Sequence, residues 1–183
     1  MLIETERLVI RDLSASDVEA LARMWCDPEV TRFLGGSRDS AEVRRILEED
    51  AGSATPPDVD LWPVLEKGSG QVVGHCGLLE KEVDGSAEVE LVYVLARAAW
   101  GRGYATEAAA AIRGYAQEHL GLQRLIALIA PENRASERVA LKVCMRLERE
   151  TLRPGGKLMR VYAWEAEDVK RKGQKGQFDG ERG

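Results

Sequence analysis

The sequence predicts a mixed α/β fold, one central sheet with helices on both faces. Three observations carry this. Runs of strand-like residues at 61–67, 71–83 and 87–96 follow one another with turn signals between them, Gly68-Ser69-Gly70 and Asp84-Gly85, as in a series of hairpins. A helical pattern then runs from Tyr104 to about Leu120, with Ala108, Ile112, Tyr115 and Ala116 at spacings of three and four. A wholly apolar run, Leu125 to Ala130, follows it, and further helical patterns stand on either side, so helix and strand alternate along the chain.

From the N-terminus, Leu2 to Leu13 reads as a strand by its β-branched and apolar content. Ser14 starts a helix, with Asp17 three residues on as an imperfect capping box, and Leu21, Met24 and Trp25 form its apolar face. Asp27-Pro28 restarts the helix, since proline suits a first helical position. Asp39 with Glu42 caps a third helix through Val43, Ile46 and Leu47. Residues 51–60 contain Gly52, Pro56 and Pro57 and read as a loop before the hairpin strands. Gly121 is the expected stop of the long helix. A last helix is expected over Ser136 to Leu147. Two final strands follow, Glu148 to Arg153 and Leu158 to Ala166, around the turn Pro154-Gly155-Gly156. One domain over 1–168 is expected, with a polar, loose tail over 169–183.

Composition bounds the function. The 183 residues fit one domain that buries roughly 70% of its unfolded surface, enough for a core without staples. The chain is 44% hydrophobic and 31% charged, an ordinary globular balance. Cys26, Cys76 and Cys144 are odd in number and far apart, which reads as reduced thiols in a cytoplasmic protein. Glu4 and Glu6 break up the first ten residues, so no signal peptide is read there, and no run approaches the ~18 apolar residues of a membrane span. The net charge of −5 argues against nucleic acid as the main ligand and suits a cationic acceptor. Neither His75 nor His119 stands near a second ligand, so no metal is expected.

The informative segment is Trp100-Gly101-Arg102-Gly103-Tyr104-Ala105-Thr106-Glu107, between a strand and a helix. Two glycines one residue apart let the backbone turn sharply and approach a ligand closely. Their amides open onto a helix N-terminus, where free N–H groups and the helix dipole favour an anion such as pyrophosphate. Arg97 and Arg102 flank the site, and no acid lies between residues 91 and 106. A dinucleotide fingerprint would need a third glycine where Thr106 stands, and no Walker-type lysine loop occurs. A tight turn without a ligand is the plain alternative.

Six ordered segments resemble the GNAT superfamily of N-acetyltransferases, closest to the group that acetylates ribosomal-protein N-termini. They are Glu4 to Arg11 with its Thr-Glu-Arg-Leu start, Asp27 to Val30, Val73 to Leu78, Glu90 to Tyr93, Trp100 to Ala108, and Pro131 to Ser136 with its Asn-x-x-Ser. The resemblance covers about residues 2–165. It implies a mostly antiparallel sheet that splays between its fourth and fifth strands, with acetyl-CoA in the gap as cosubstrate. It further implies that Val92, Tyr93 and Val94, with Leu95, pair with the pantetheine arm, and that the amides of Trp100, Gly101, Arg102, Gly103, Tyr104, Ala105 and Thr106 hold the pyrophosphate. Asn133 would contact the pantetheine end or an ordered water. Dimers are common in the superfamily, so a homodimer is possible. The chain departs from the pattern at three places. Ala98 stands where the wider superfamily has Gln or Arg, Cys144-Met145 where the group has Gly-Phe, and Ala140 where many members carry a tyrosine acid.

The transfer needs a neutral amine. An α-amine sheds its proton about 2.6 pH units more easily than a lysine, worth roughly 3.5 kcal/mol at pH 7, so a modest base suffices for a protein or peptide N-terminus. Glu90 matches the family's strand glutamate and is the candidate base, acting through water; a solvated strand residue is its ordinary alternative. Glu88, two residues back on the same face, is the fallback. Ser136 is the candidate to protonate the leaving thiolate, and equally reads as the N-cap of the last helix. His75 reads as structural. Trp62 reads as core or as acceptor-pocket lining, and the acids Glu48, Glu49, Asp50, Asp58 and Asp60 as a solvated face or a lure for a basic peptide. A small-molecule amine (antibiotic or polyamine), a silent acyl-CoA-binding module and a nucleotide-dependent oxidoreductase are the competing functions.

Overall fold

A computed structural model describes residues 1–54 and 57–166; the expected tail over 169–183 lies outside them. Among the described residues eight strands form one sheet: β1 (Leu2–Glu4), β2 (Leu8–Arg11), β3 (Leu61–Glu66), β4 (Val72–Val83), β5 (Ser86–Leu95), β6 (Arg124–Ile129), β7 (Arg146–Arg153) and β8 (Lys157–Glu165). Their order across the sheet is β1-β2-β3-β4-β5-β6-β8-β7. Every neighbouring pair is antiparallel except β5 and β6, which meet in parallel at the single register pair Glu90↔Ile126. The mixed, mostly antiparallel α/β sheet with helices on both faces is therefore as the sequence predicted.

The helices are α1 (Val18–Cys26), α2 (Pro28–Thr31), α3 (Ser40–Ala51), α4 (Tyr104–Glu118) and α5 (Arg134–Lys142). On one face, α4 lays Ala108, Ile112 and Ala116 against Leu8, Ile10, Trp62, Leu78 and Leu91, all buried, and Ala140, Val143 and Met145 at the end of α5 join the same core. The alanines bring α4 close to the strands. On the other face, Leu21, Met24 and Trp25 of α1 and Val43 and Leu47 of α3 pack around Val94 of β5. Among the described residues no helix is long and apolar enough to cross a membrane.

Three expectations on element bounds fail. The strand expected over 2–13 is a hairpin, with Ile3 paired to Ile10. Its turn has no glycine or proline; the Thr5 hydroxyl accepts from Leu8 N at 2.9 Å and Thr5 N donates to Leu8 O at 3.0 Å, a side chain standing in for turn chemistry. The helix expected over Ser136–Leu147 starts two residues earlier and stops at Lys142, so Arg146 and Leu147 belong to β7. It stops in a Schellman turn, Met145 N to Ala140 O at 2.9 Å and Cys144 N to Leu141 O at 3.2 Å. Cys144 takes the left-handed position, at φ +65°, that glycine usually fills, so the sequence carried no stop signal there. The long helix also stops short of the expected cap: α4 ends at Glu118 with His119 as its C-cap, and Gly121, at φ +67°, turns the chain two residues further on.

Candidate functional site

The parallel pair is where the sheet opens. Ala96 N donates to Val73 O at 3.0 Å, which turns the backbone groups of the even-numbered β5 residues toward β4. The groups of Leu91 and Tyr93 then face β6. Beyond Glu90↔Ile126 the ladder breaks: Leu128 N makes a long 3.4 Å bond to Glu90 Oε1 instead of continuing along the β5 backbone. A cleft of about 510 Å³ opens past this point, between the end of β5, the start of α4 and one side of α5. Tyr93, Val94, Leu95, Trp100, Gly101, Gly103, Tyr104, Ala105, Thr106, Asn133 and Ser136 line it, so most of the sequence-predicted residues come together.

The loop into α4 is built for a ligand's backbone contacts. Gly101 and Gly103 sit at φ +74° and +84°, where side chains are disfavoured, and Gly103 is the N-cap of α4 with no side-chain cap. Among the described residues, the amides of 101–106 donate to no backbone carbonyl, and the bond Glu107 N to Gly103 O starts the helical ladder. These orphan donors at a helix N-terminus, with bare glycine backbone around them, fit a pyrophosphate. The open Tyr93 backbone fits an extended amide-bearing arm such as pantetheine.

Several sequence assignments change in detail. Val92 does not line the cleft, and the backbone groups of Val92 and Val94 are turned to β4, which leaves Tyr93 and the amide of Leu95 facing the opening. Trp100 N is committed to Arg97 O at 3.1 Å. Its half-exposed indole lines the cleft instead, held by a 2.8 Å bond from Nε1 to Leu95 O. The Arg102 guanidinium turns away from the cleft to Glu66, at 2.6 Å, so it is not a free flanking cation. The cations that do line the cleft are Arg32, Arg138 and Lys142, and the last two, one helical turn apart on α5, form no ion pair among the described residues. Sequence reading missed them because an i, i+4 basic pair on a polar helix face looks like any solvated surface.

Ser136 is not the cap of α5. Asn133 is, its Oδ1 accepting from Ser136 N at 3.1 Å. That leaves the Ser136 hydroxyl in the cleft lining without a partner among the described residues. Tyr93 Oη donates to Ser136 O at 2.8 Å and so ties β5 to α5 across the opening, and burial pushes its phenol well above the usual range.

Glu90 lies along β5 from the cleft and is not among its lining residues. Burial raises its carboxyl above the usual range, against the pull of Lys81, the Leu128 amide and Arg153. The β7–β8 hairpin crosses nearby, with Arg153 Nη1 on Glu82 O at 3.1 Å and Thr151 Oγ1 on Asp84 at 2.6 Å. Glu88 is committed to Arg124, which also holds Glu148 and Glu165, so the fallback base is a structural ion-pair partner. Trp62 is buried in the core edge-on to Tyr115 and does not line the cleft; nor do Glu48, Glu49, Asp50, Asp58 or Asp60. Glu29, Val30, Arg32, Phe33 and Leu34, on and just after α2, line the cleft instead. His75 is structural: it accepts from Trp25 Nε1 at 3.2 Å, and burial lowers its pKa to about 4.

Comparison with known proteins agrees with this geometry. Residues 7–146 match the family model of the acetyltransferase (GNAT) domain. The chain is 31% identical to the uncharacterized protein YkkB of Bacillus subtilis over 159 residues, covering 86% of this chain and 92% of that one. It is 29% identical to the uncharacterized N-acetyltransferase p20 of Bacillus licheniformis over 165 residues, 86% and 91% of the two chains. Among solved structures, a GNAT-family acetyltransferase of Bacillus anthracis superposes with a TM-score of 0.76 at 29% identity, covering 91% of this chain and 99% of that one. The fold alone is shared with the aminoglycoside acetyltransferase AAC(6')-Ib in its coenzyme A complex, at TM-score 0.69 and 14% identity over 90% and 98% of the chains. A sheet opened at its one parallel pair, an uncapped helix beside the opening and a family match over residues 7–146 lead to one conclusion: the chain belongs to the GNAT family of N-acetyltransferases.

Proposed function

We propose that this chain transfers an acetyl group from acetyl-CoA to the primary amine of a protein or peptide N-terminus. The observation that carries the cosubstrate is the row of unpaired amides from Gly101 to Thr106, opening onto the cleft at the start of α4. They hold the pyrophosphate, the open Tyr93 backbone holds the pantetheine arm, and Arg138 and Lys142 offer charge to the remaining phosphate. Acetyl-CoA supplies an activated acyl group; the chain's own residues supply position and proton handling.

Glu90 accepts the amine's proton through water, and its desolvated carboxyl is a better base than an exposed one. The Ser136 hydroxyl, released from capping, stands in the cleft to return a proton to the thiolate side. An α-amine suits so modest a base. The acceptor enters past Glu29, Val30, Arg32, Phe33 and Leu34, where one carboxylate and one guanidinium stand among apolar groups.

The test is a calorimetric titration with acetyl-CoA, with NADH as control, followed by an acceptor screen of N-terminal peptides, free lysine, polyamines and aminoglycosides. Binding of acetyl-CoA alone and turnover of peptides support the reading. Turnover confined to small amines overturns the acceptor class, and absence of acetyl-CoA binding overturns the whole.

A further inference from the structure

We propose that Arg7, on the N-terminal hairpin, is a positioning residue for the pyrophosphate loop, which it orients from outside the cleft. This rests on reading the cleft as the acetyl-CoA site. Arg7 does not line the cleft. Its Nη1 donates to Arg102 O at 2.9 Å, and its Nε donates to Glu107 Oε2 at 2.7 Å. Glu107 is held a second and third time at Oε1, by Arg7 N at 2.8 Å and Thr5 Oγ1 at 2.6 Å. The hairpin turn thus grips the loop and the first turn of α4 at once, across about 100 residues of sequence.

The peptide plane says what this grip does. The C=O of Arg102 and the N–H of Gly103 belong to one trans peptide and point in opposite directions. Fixing the carbonyl toward Arg7 therefore aims the Gly103 amide away from Arg7, and Gly103 lines the cleft.

Charge gives Arg7 a second task. Glu107 sits in the first turn of α4, where an acid favours the helix but opposes an anion bound at the same end. Its bonds to Thr5 and Arg7 outweigh burial and keep the carboxyl ionised, and the guanidinium compensates that charge. Glu66, on the other side of the loop, is compensated in the same way by Arg102, and the Tyr104 ring lies 4.9 and 4.8 Å from the two guanidinium carbons.

Binding of coenzyme A and of pantetheine, which lacks the pyrophosphate, separates positioning from a general structural role. In a folded Arg7→Met protein, coenzyme A should bind about ten- to a hundredfold more weakly, the scale of a lost charge-assisted contact, while pantetheine changes by less than about twofold. Unchanged coenzyme A binding, or an equal loss for both ligands, overturns the inference. Should Arg7→Met fail to fold, Arg7→Lys keeps the charge but lacks the guanidinium fork that bonds Arg102 O and Glu107 Oε2 together. It should weaken coenzyme A about three- to tenfold with the same selectivity, and a loss without selectivity overturns the proposal. Wild-type protein that binds neither ligand refutes the cleft reading itself, whereas wild-type binding with an unaffected variant refutes only the role of Arg7.

Discussion

Two helices begin beside the cleft, and their first turns are built in opposite ways. α5 is closed by its own chain: Asn133 caps it and satisfies Ser136 N. α4, the longer helix, starts at a glycine with φ +84° and no side-chain cap, and its first amides have no backbone acceptor among the described residues. A helix end normally finds partners for its orphan donors within the protein or in water. The difference assigns the two ends different work. In the proposed function the α4 end takes the pyrophosphate, while Asn133 and Ser136 are held at the α5 end on the cleft wall.

The largest expected effect tests the strand between the two helix ends. Glu90→Gln should lower kcat about a hundredfold or more with coenzyme A affinity unchanged, the usual range for losing a general base. The parent's rate should rise with pH through the raised Glu90 pKa, and that limb should vanish in the variant. Stability should move the other way. Because burial raises the folded-state pKa, the folded protein holds this proton more tightly than the unfolded chain, and the ionised form costs stability as pH rises through that pKa. Glu90→Gln should therefore melt above the parent at pH 7 and lose the advantage below about pH 4, where both are neutral. Unchanged kcat would remove Glu90 from the chemistry.

Next comes the open helix end. Gly103→Val forces a branched residue into a left-handed conformation and brings its Cβ to 3.3 Å from Arg7 Nη2. The strain is of the order of 1–3 kcal/mol, and it should appear as roughly a ten- to hundredfold loss of coenzyme A affinity. Some of it will also appear as a lower melting temperature, because the loop is braced by Arg7 rather than free to move. The closed end should respond differently. Asn133→Ala should cost about 1 kcal/mol of stability, roughly 2–4 °C in Tm, with a smaller loss of coenzyme A affinity than Gly103→Val. If it loses as much affinity as Gly103→Val, the contrast between the two ends is wrong. The smallest effect lies at the far end of α5. Cys144→Gly relieves a left-handed non-glycine residue and should raise stability by up to about 1 kcal/mol in a denaturant titration.

Much of this was legible in the chain. The Gly101-x-Gly103 pair ahead of a helical pattern pointed to the open end of α4, because glycine takes the left-handed turns that other residues avoid. The hairpin strands were legible from Gly68-Ser69-Gly70 and Asp84-Gly85. The turn at Thr5 was not, since its closing bonds come from a threonine side chain; nor was the end of α5, since its left-handed residue is a cysteine. In the site, Arg102 looked like a phosphate cation until the structure placed Glu66 against it. Ser136 looked like a helix cap until the structure placed Asn133 there.

By itself, then, the sequence determined the fold class, most of the element order and the glycine turn that opens α4, because these depend on local periodicity and on residue types with restricted backbone geometry. Only the tertiary structure decided which side chains are spent on each other and which are left for a ligand. Arg7 reaches the loop across about 100 residues, and Arg138 and Lys142 come to face the cleft where Trp62 and the acidic run do not. Pairings of this kind depend on which surfaces the folded sheet brings together, and no local pattern in the chain encodes them.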